Sequence, residues 1–238
     1  MASASAHRPC EVILALDVPT HAEAEAFLDR IGSDLRWVKV GLQMFLREGP
    51  GLVDALAARG HRVFLDLKLH DIPNTVASAI RSLHGRPCEM LTIHAGGGGE
   101  MMRQAVEAAR ETNPGLILLA VTVLTSLDDP SLAEMGVTDG AGSQVERLAG
   151  LALQAGVPGL ICSPKELPML RKKFGAGPLL ITPGVRPTGA DAGDQKRALT
   201  PRDAAAAGSD FIVVGRPLLQ AKDPRAALAA IRAEMAGV

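Results

Sequence analysis

The chain has 238 residues, 47% of them apolar, and a formal net charge of −1, which suits one large domain with a substantial core. A balance so near zero, with no basic run and no aromatic-rich strand, excludes nucleic acid as a partner. The three cysteines, Cys10, Cys88 and Cys162, are too widely spaced for a C-x-x-C zinc pair or a disulfide framework, so reduced thiols in a cytoplasm are expected.

Residues 1–9 lack the apolar core of a secretory signal and are expected to be a disordered N-terminal segment. No long uninterrupted apolar run follows, so no membrane span is expected. The remainder, 10–238, contains no Pro-, Gly- or Ser-rich linker and reads as one domain.

Glu11 to Val18 is an apolar run closed by Pro19, and Thr20 caps a helix through Ile31. Trp37 to Leu42 predicts a second strand, with a helix from Glu48 to Arg59 closed by Gly60. Val63 to Leu69 is the third strand, and Pro73 suits the first turn of the helix from Ile72 to Leu83. Met90 to Ala95 is the fourth, followed by four glycines, Gly96 to Gly99, read as a flexible loop, and a helix from Glu100 to Arg110. Leu116 to Thr125 reads as a long fifth strand, then a loop with short helical turns and a helix from Ser143 to Gln154. Gly159 to Ser163 and Leu179 to Val185 are strands six and seven, each heading a helix, at Pro164 to Phe174 and at Pro201 to Ala207. Phe211 to Arg216 is strand eight, and Asp223 to Met235 the last helix. Eight strand-helix units in this length predict a parallel, right-handed, closed (β/α)8 TIM barrel.

The polar residues fall at one end of it. Asp17, Lys39, Asp66, Lys68, His94, Thr125, Ser126, Arg186 and Arg216 lie in or just after predicted strands, and the C-terminal strand ends of a barrel meet around one mouth. In an extended strand Asp66 and Lys68 share a face with Phe64, while Leu65, Leu67 and Leu69 take the other. A charge pair alone on a solvated strand means little. With leucine opposite, it is set into an interior where charges persist only when paired. Pro183-Gly184-Val185-Arg186-Pro187 and Val214-Gly215-Arg216-Pro217 repeat a phosphate-binding pattern, in which glycine permits close backbone approach and arginine offers a forked donor. His70 and His94, with Asp66 and Asp71, have ligand types suited to a divalent metal. An ammonium in their midst, Lys68, argues against one.

With these residues assembled, the chain resembles the orotidine 5′-phosphate decarboxylase family in its compact bacterial form. The likeness runs from Ile13-Leu-Ala-Leu-Asp-Val-Pro through Lys39-Val-Gly-Leu-Gln to Asp210-Phe-Ile-Val-Val-Gly-Arg-Pro. Its sharpest element is Asp66-x-Lys68-x-x-Asp71-Ile72-Pro73-Asn74-Thr75, supported by Asp194-Gln-Lys-Arg197. The resemblance implies cofactor-free, metal-free conversion of orotidine 5′-phosphate to UMP, the last step of de novo pyrimidine nucleotide synthesis. It implies a cytoplasmic homodimer with shared sites, in which Asp71 reaches the partner's site together with Ile72 and Thr75. Lys39, Asp66, Lys68 and Asp71 would form a charge array; Asp17 and Lys39 would meet ribose hydroxyls; Thr125, with Ser126, the pyrimidine. Pro183 would lie beside the ring, Gln195 would contact base and phosphate, and Arg186, Gly215 and Arg216 the phosphate. The Gly189 to Arg197 loop is expected to close over the site. Two alternatives stay open: a related sugar-phosphate barrel enzyme using Mg2+, and a catalytically idle nucleotide-binding barrel.

Overall fold

The computed structural model describes residues 9–187 and 199–237. Eight parallel strands run in chain order around a closed barrel. They are β1 (Glu11–Ala15), β2 (Trp37–Gly41), β3 (Arg62–Leu69), β4 (Cys88–His94), β5 (Ile117–Val121), β6 (Gly159–Ile161), β7 (Leu179–Pro183) and β8 (Phe211–Val214). Closure is made by β8 on β1, with Ile212 opposite Val12 and Val214 opposite Leu14.

Helices cover the outside. They are α1 (His21–Ile31), α2 (Leu42–Glu48), α3 (Gly51–Ala58), α4 (Pro73–Arg81), α5 (Gly98–Thr112), α6 (Asp129–Glu134), α7 (Gly140–Gln154), α8 (Leu167–Phe174), α9 (Pro201–Ala206), α10 (Arg216–Leu219) and α11 (Pro224–Ala236). Their starts follow local chemistry. Thr20, Asp128, Thr200 and Asp223 accept hydrogen bonds from the first turns of α1, α6, α9 and α11, satisfying backbone donors that a helix leaves orphaned. The predicted Glu48 to Arg59 helix is α3, and α2, which was not anticipated, precedes it; the two are separated where Gly49 takes φ +70. α10 was not anticipated; a four-residue helix carries no periodicity to read.

Strand alternation sorts the core into two parts. Leu14, Val38, Leu65 and Leu91 face outward into the helical layer, whereas Ile13, Trp37, Phe64, Met90, Leu119, Ile181 and Phe211 fill the barrel. Trp37 and Phe211 meet edge to face at 5.4 Å, and burying side chains of this size contributes about 1.5–3 kcal/mol each. One step further along the same inward faces come Lys39, Asp66 and Thr92, so the apolar plug becomes the floor of a charged site.

Candidate active site

Carboxylate, ammonium and hydroxyl groups converge above that floor. The Lys39 Nζ lies 3.4 Å from Asp17 Oδ1 and 3.4 Å from Asp66 Oδ2, and the Lys68 Nζ lies 2.8 Å from Asp66 Oδ1. The chain of alternating signs runs Asp17, Lys39, Asp66, Lys68. Its centre is buried, with Lys39 and Asp66 side chains 10% and 15% exposed, and its ends open, Asp17 being 52% exposed. Burial pushes the Asp66 carboxyl upward. The charges of Lys39 and Lys68, with hydrogen bonds from Lys68 and Thr92, more than offset this, and the group is held below its ordinary value of 3.8. Its stabilising contribution is therefore complete above 3.8 and lost as pH falls through the lower folded value. In urea titrations between about pH 2 and 4, Asp66→Asn protein is expected to lose less stability on acidification than the parent.

The geometry is not that of a regular strand. Leu65 pairs with Leu91 and the next pair is Leu69 with Ile93, so β3 takes four steps where β4 takes two. The surplus arches as a bulge, and Lys68 adopts φ +49, unique among the described non-glycine residues. Asp66 and Lys68 thus meet through a bulge, which corrects the simple alternation read from the sequence. Thr92, on β4, is fully buried; its Oγ1 accepts the Lys68 backbone N–H at 2.8 Å and donates to Asp66 Oδ1 at 3.0 Å. Nothing in the sequence distinguished it, since threonine is an ordinary β-former.

A cavity of about 160 Å3 opens beside the array, lined by Lys39, Asp66, Lys68, Thr125 and Pro183 and by apolar Phe64, Val121, Val123, Leu124, Ile161, Cys162 and Val213. Burial, with Glu166 nearby, pushes the Cys162 thiol up, so it stays neutral. A larger cavity, about 560 Å3, sits at the other end of the barrel between β1 and α11 and gathers no comparable charge array. β5 ends at Val121 rather than Thr125: the buried Val123 prolongs the apolar run without sheet pairing. Thr125 consequently stands in a turn on the cavity wall, and Ser126, exposed, is not among the residues lining it.

Asp71 stands apart from its own chain's array. It is exposed, and its Oδ1 accepts the Ile72 N–H at 2.7 Å. Ile72 is 67% exposed, and Thr75 is exposed on the first turn of α4. The two glycine–arginine elements follow adjacent strands, paired at Pro183 and Val213. Gly184 has φ +80, a conformation glycine adopts freely. Arg186 bonds Val185 O through Nη1 at 2.9 Å, and exposed Arg216 begins α10. Gly215 packs so that an added Cβ would lie 3.3 Å from the Ala15 Cβ. Gln195 and the Gly189 to Arg197 loop lie outside the described residues.

His70 and His94 stack, rings 5.1 Å apart and 10° from parallel. Burial, then His70 and Lys68, lower the His94 imidazole, and its Nδ1 accepts the Gly96 N–H at 3.1 Å. The glycine run is ordered: Ala95–Gly97 form a 3-10 turn and Gly98 begins α5. A Cβ on Gly96 would stand 3.0 Å from His94 Nδ1, and one on Gly97 2.1 Å from Met101 Sδ. These glycines serve close packing, not a flexible loop. Among the described residues, no three His, Cys, Asp or Glu side chains gather in a metal-binding group.

The fold and the strand-end site define a (β/α)8 barrel with ligand-binding chemistry at its C-terminal mouth. The sequence profile described as the Orotidine 5′-phosphate decarboxylase / HUMPS family matches residues 11–231. Among curated proteins, the orotidine 5′-phosphate decarboxylase of Anaeromyxobacter sp. (strain K) is 51% identical over 227 residues, 95% of this chain and 99% of that protein. The one from Opitutus terrae is 48% identical over 226 residues, covering 95% and 98%. A crystal structure of orotidine 5′-phosphate decarboxylase from Lactobacillus acidophilus superposes with a TM-score of 0.85 at 37% identity, covering 95% of this chain and 99% of that one. The chain belongs to the Orotidine 5′-phosphate decarboxylase / HUMPS family.

Proposed function

We propose that this protein is a cytoplasmic carboxy-lyase that converts orotidine 5′-phosphate to UMP, the closing step of pyrimidine nucleotide synthesis, without metal or organic cofactor. The observation that carries the reading is the Asp17–Lys39–Asp66–Lys68 array of alternating charge beside a small, largely apolar cavity. Asp66 is ionised and faces the substrate carboxylate, a conflict of like charges that disappears as CO2 departs. The C6–carboxylate bond breaks heterolytically and its electron pair stays on C6. The Lys68 ammonium stabilises that carbanion and then gives C6 its proton, regaining one from water. Interactions that strengthen along this path accelerate the chemical step, whereas uniform binding does not.

The remaining roles are those the family resemblance implies. Asp17 and Lys39 hold ribose hydroxyls, Thr125 the pyrimidine edge, and Pro183 the ring face, while Ser126 stands outside the cavity. Arg186, Gly215 and Arg216 hold the phosphate. Asp71, exposed and flanked by exposed Ile72 and Thr75, completes the partner's site in a homodimer. Adding orotidine 5′-phosphate is expected to produce the ultraviolet absorbance change of UMP formation, undiminished in excess chelator. No change with correctly folded dimer would overturn the assignment, and loss of turnover with chelator would transfer it to a Mg2+-dependent sibling.

A further inference from the structure

Lys68 is held at both ends by a closed ring of hydrogen bonds. Its backbone N–H donates to Thr92 Oγ1 at 2.8 Å, the Thr92 hydroxyl donates to Asp66 Oδ1 at 3.0 Å, and that same oxygen accepts from the Lys68 Nζ at 2.8 Å. The direction of every bond is fixed. A backbone N–H can only donate, so the threonine oxygen must accept from it, and the single hydroxyl proton is left for the carboxylate. The ring sits at the bulge, where β3 departs from its ladder with β4 and Lys68 carries φ +49, a conformation that persists only where surrounding structure enforces it. Thr92 is fully buried, so its hydroxyl has no water as an alternative partner.

We infer that Thr92 is a positioning residue for the reaction: its hydroxyl fixes the bulge that aims Lys68 and orients the Asp66 carboxylate, leaving Oδ2 towards Lys39. The inference rests on the roles proposed above for Asp66 and Lys68. Thr92 does not line the cavity, whereas Asp66 and Lys68 do; it acts through those two groups. Thr92→Val keeps the shape and removes the hydroxyl, whereas Thr92→Ser keeps the hydroxyl and removes a methyl.

The test compares parent, Thr92→Val and Thr92→Ser proteins by kcat and KM for orotidine 5′-phosphate, and by carboxyl 13C NMR titration of Asp66. Thr92→Val is expected to lower kcat about tenfold to a hundredfold, with KM within about threefold of the parent. Its Asp66 titration moves to higher pH, the loss of a donor to the charged form having that sign. Thr92→Ser is expected to keep kcat within about threefold of the parent and to leave the Asp66 titration in place. Parent-like kcat and an unmoved Asp66 titration in Thr92→Val overturn the inference. So does an equal fall in both variants, which would assign the effect to packing. Should Thr92→Val not fold, Thr92→Ala takes its place against Thr92→Ser with the same outcomes. If the parent itself shows no turnover, the proposed function fails, while the Asp66 titration still decides for or against Thr92.

Discussion

Lys68→Ala protein is expected to lose decarboxylation by about four orders of magnitude or more while still binding UMP. In the proposed mechanism two separate contributions disappear with the ammonium: stabilisation of negative charge accumulating on C6, and the proton that quenches it. Their usual magnitudes multiply, so no other single substitution in the array is expected to cost as much. On the proposed reading, binding draws on different residues, chiefly Arg186 and Arg216 after β7 and β8 and Asp17 after β1. The fold is expected to survive. Alanine is no more strained than lysine at φ +49, and Asp66 keeps its ion pair with Lys39 and its bond from Thr92. Turnover followed by ultraviolet absorbance, with UMP affinity measured in parallel, separates the two effects. Residual activity within a hundredfold of the parent would remove Lys68 from the chemistry.

Mixing inactive Lys68→Ala chains with inactive Asp71→Ala chains is expected to restore about a quarter of parental activity. Random reassortment makes half the dimers hybrid, and each hybrid has one site assembled wholly from intact side chains. The structural basis is the position of Asp71. It lies three residues beyond Lys68, yet it is exposed and makes its hydrogen bond to Ile72 N–H, whereas the Lys68 Nζ turns back to Asp66. Bare Ile72 beside it is an apolar side chain suited to burial against a second chain. Mixtures that stay as inactive as their components, despite verified exchange of subunits, would place Asp71 in its own chain's site.

The barrel was legible because strand-helix alternation is a pattern of the chain itself, and so was the mouth, since polar residues fall in or just after seven of the eight apolar runs. What escaped depended on pairing between strands. Nothing within residues 63–75 shows that β4 advances two steps where β3 advances four, so Lys68 looked like the regular neighbour of Asp66 on a flat face. Thr92 escaped for the same reason: its importance comes from what the bulge brings over it. Gly96 and Gly97 read as looseness because composition cannot distinguish a glycine that permits motion from one that makes room, here for His94 and Met101. The fifth strand was drawn too long because buried loop residues such as Val123 are as apolar as strand residues. In the helical layer the longer, periodic helices were legible, and the short α2 and α10 were not.

The surplus length of β3 has a consequence for how such a protein could be lost. Removing Leu67 and Lys68 would let a regular ladder form in place of the pairing now seen, and would discard the left-handed lysine and its ion pair while Asp66 keeps its pair with Lys39. The shortened chain is expected to fold at least as readily as the parent while being inert. A population screened only for soluble expression would thus accumulate silent deletions at this point, and a library carrying them would report its failure only when growth depends on the product.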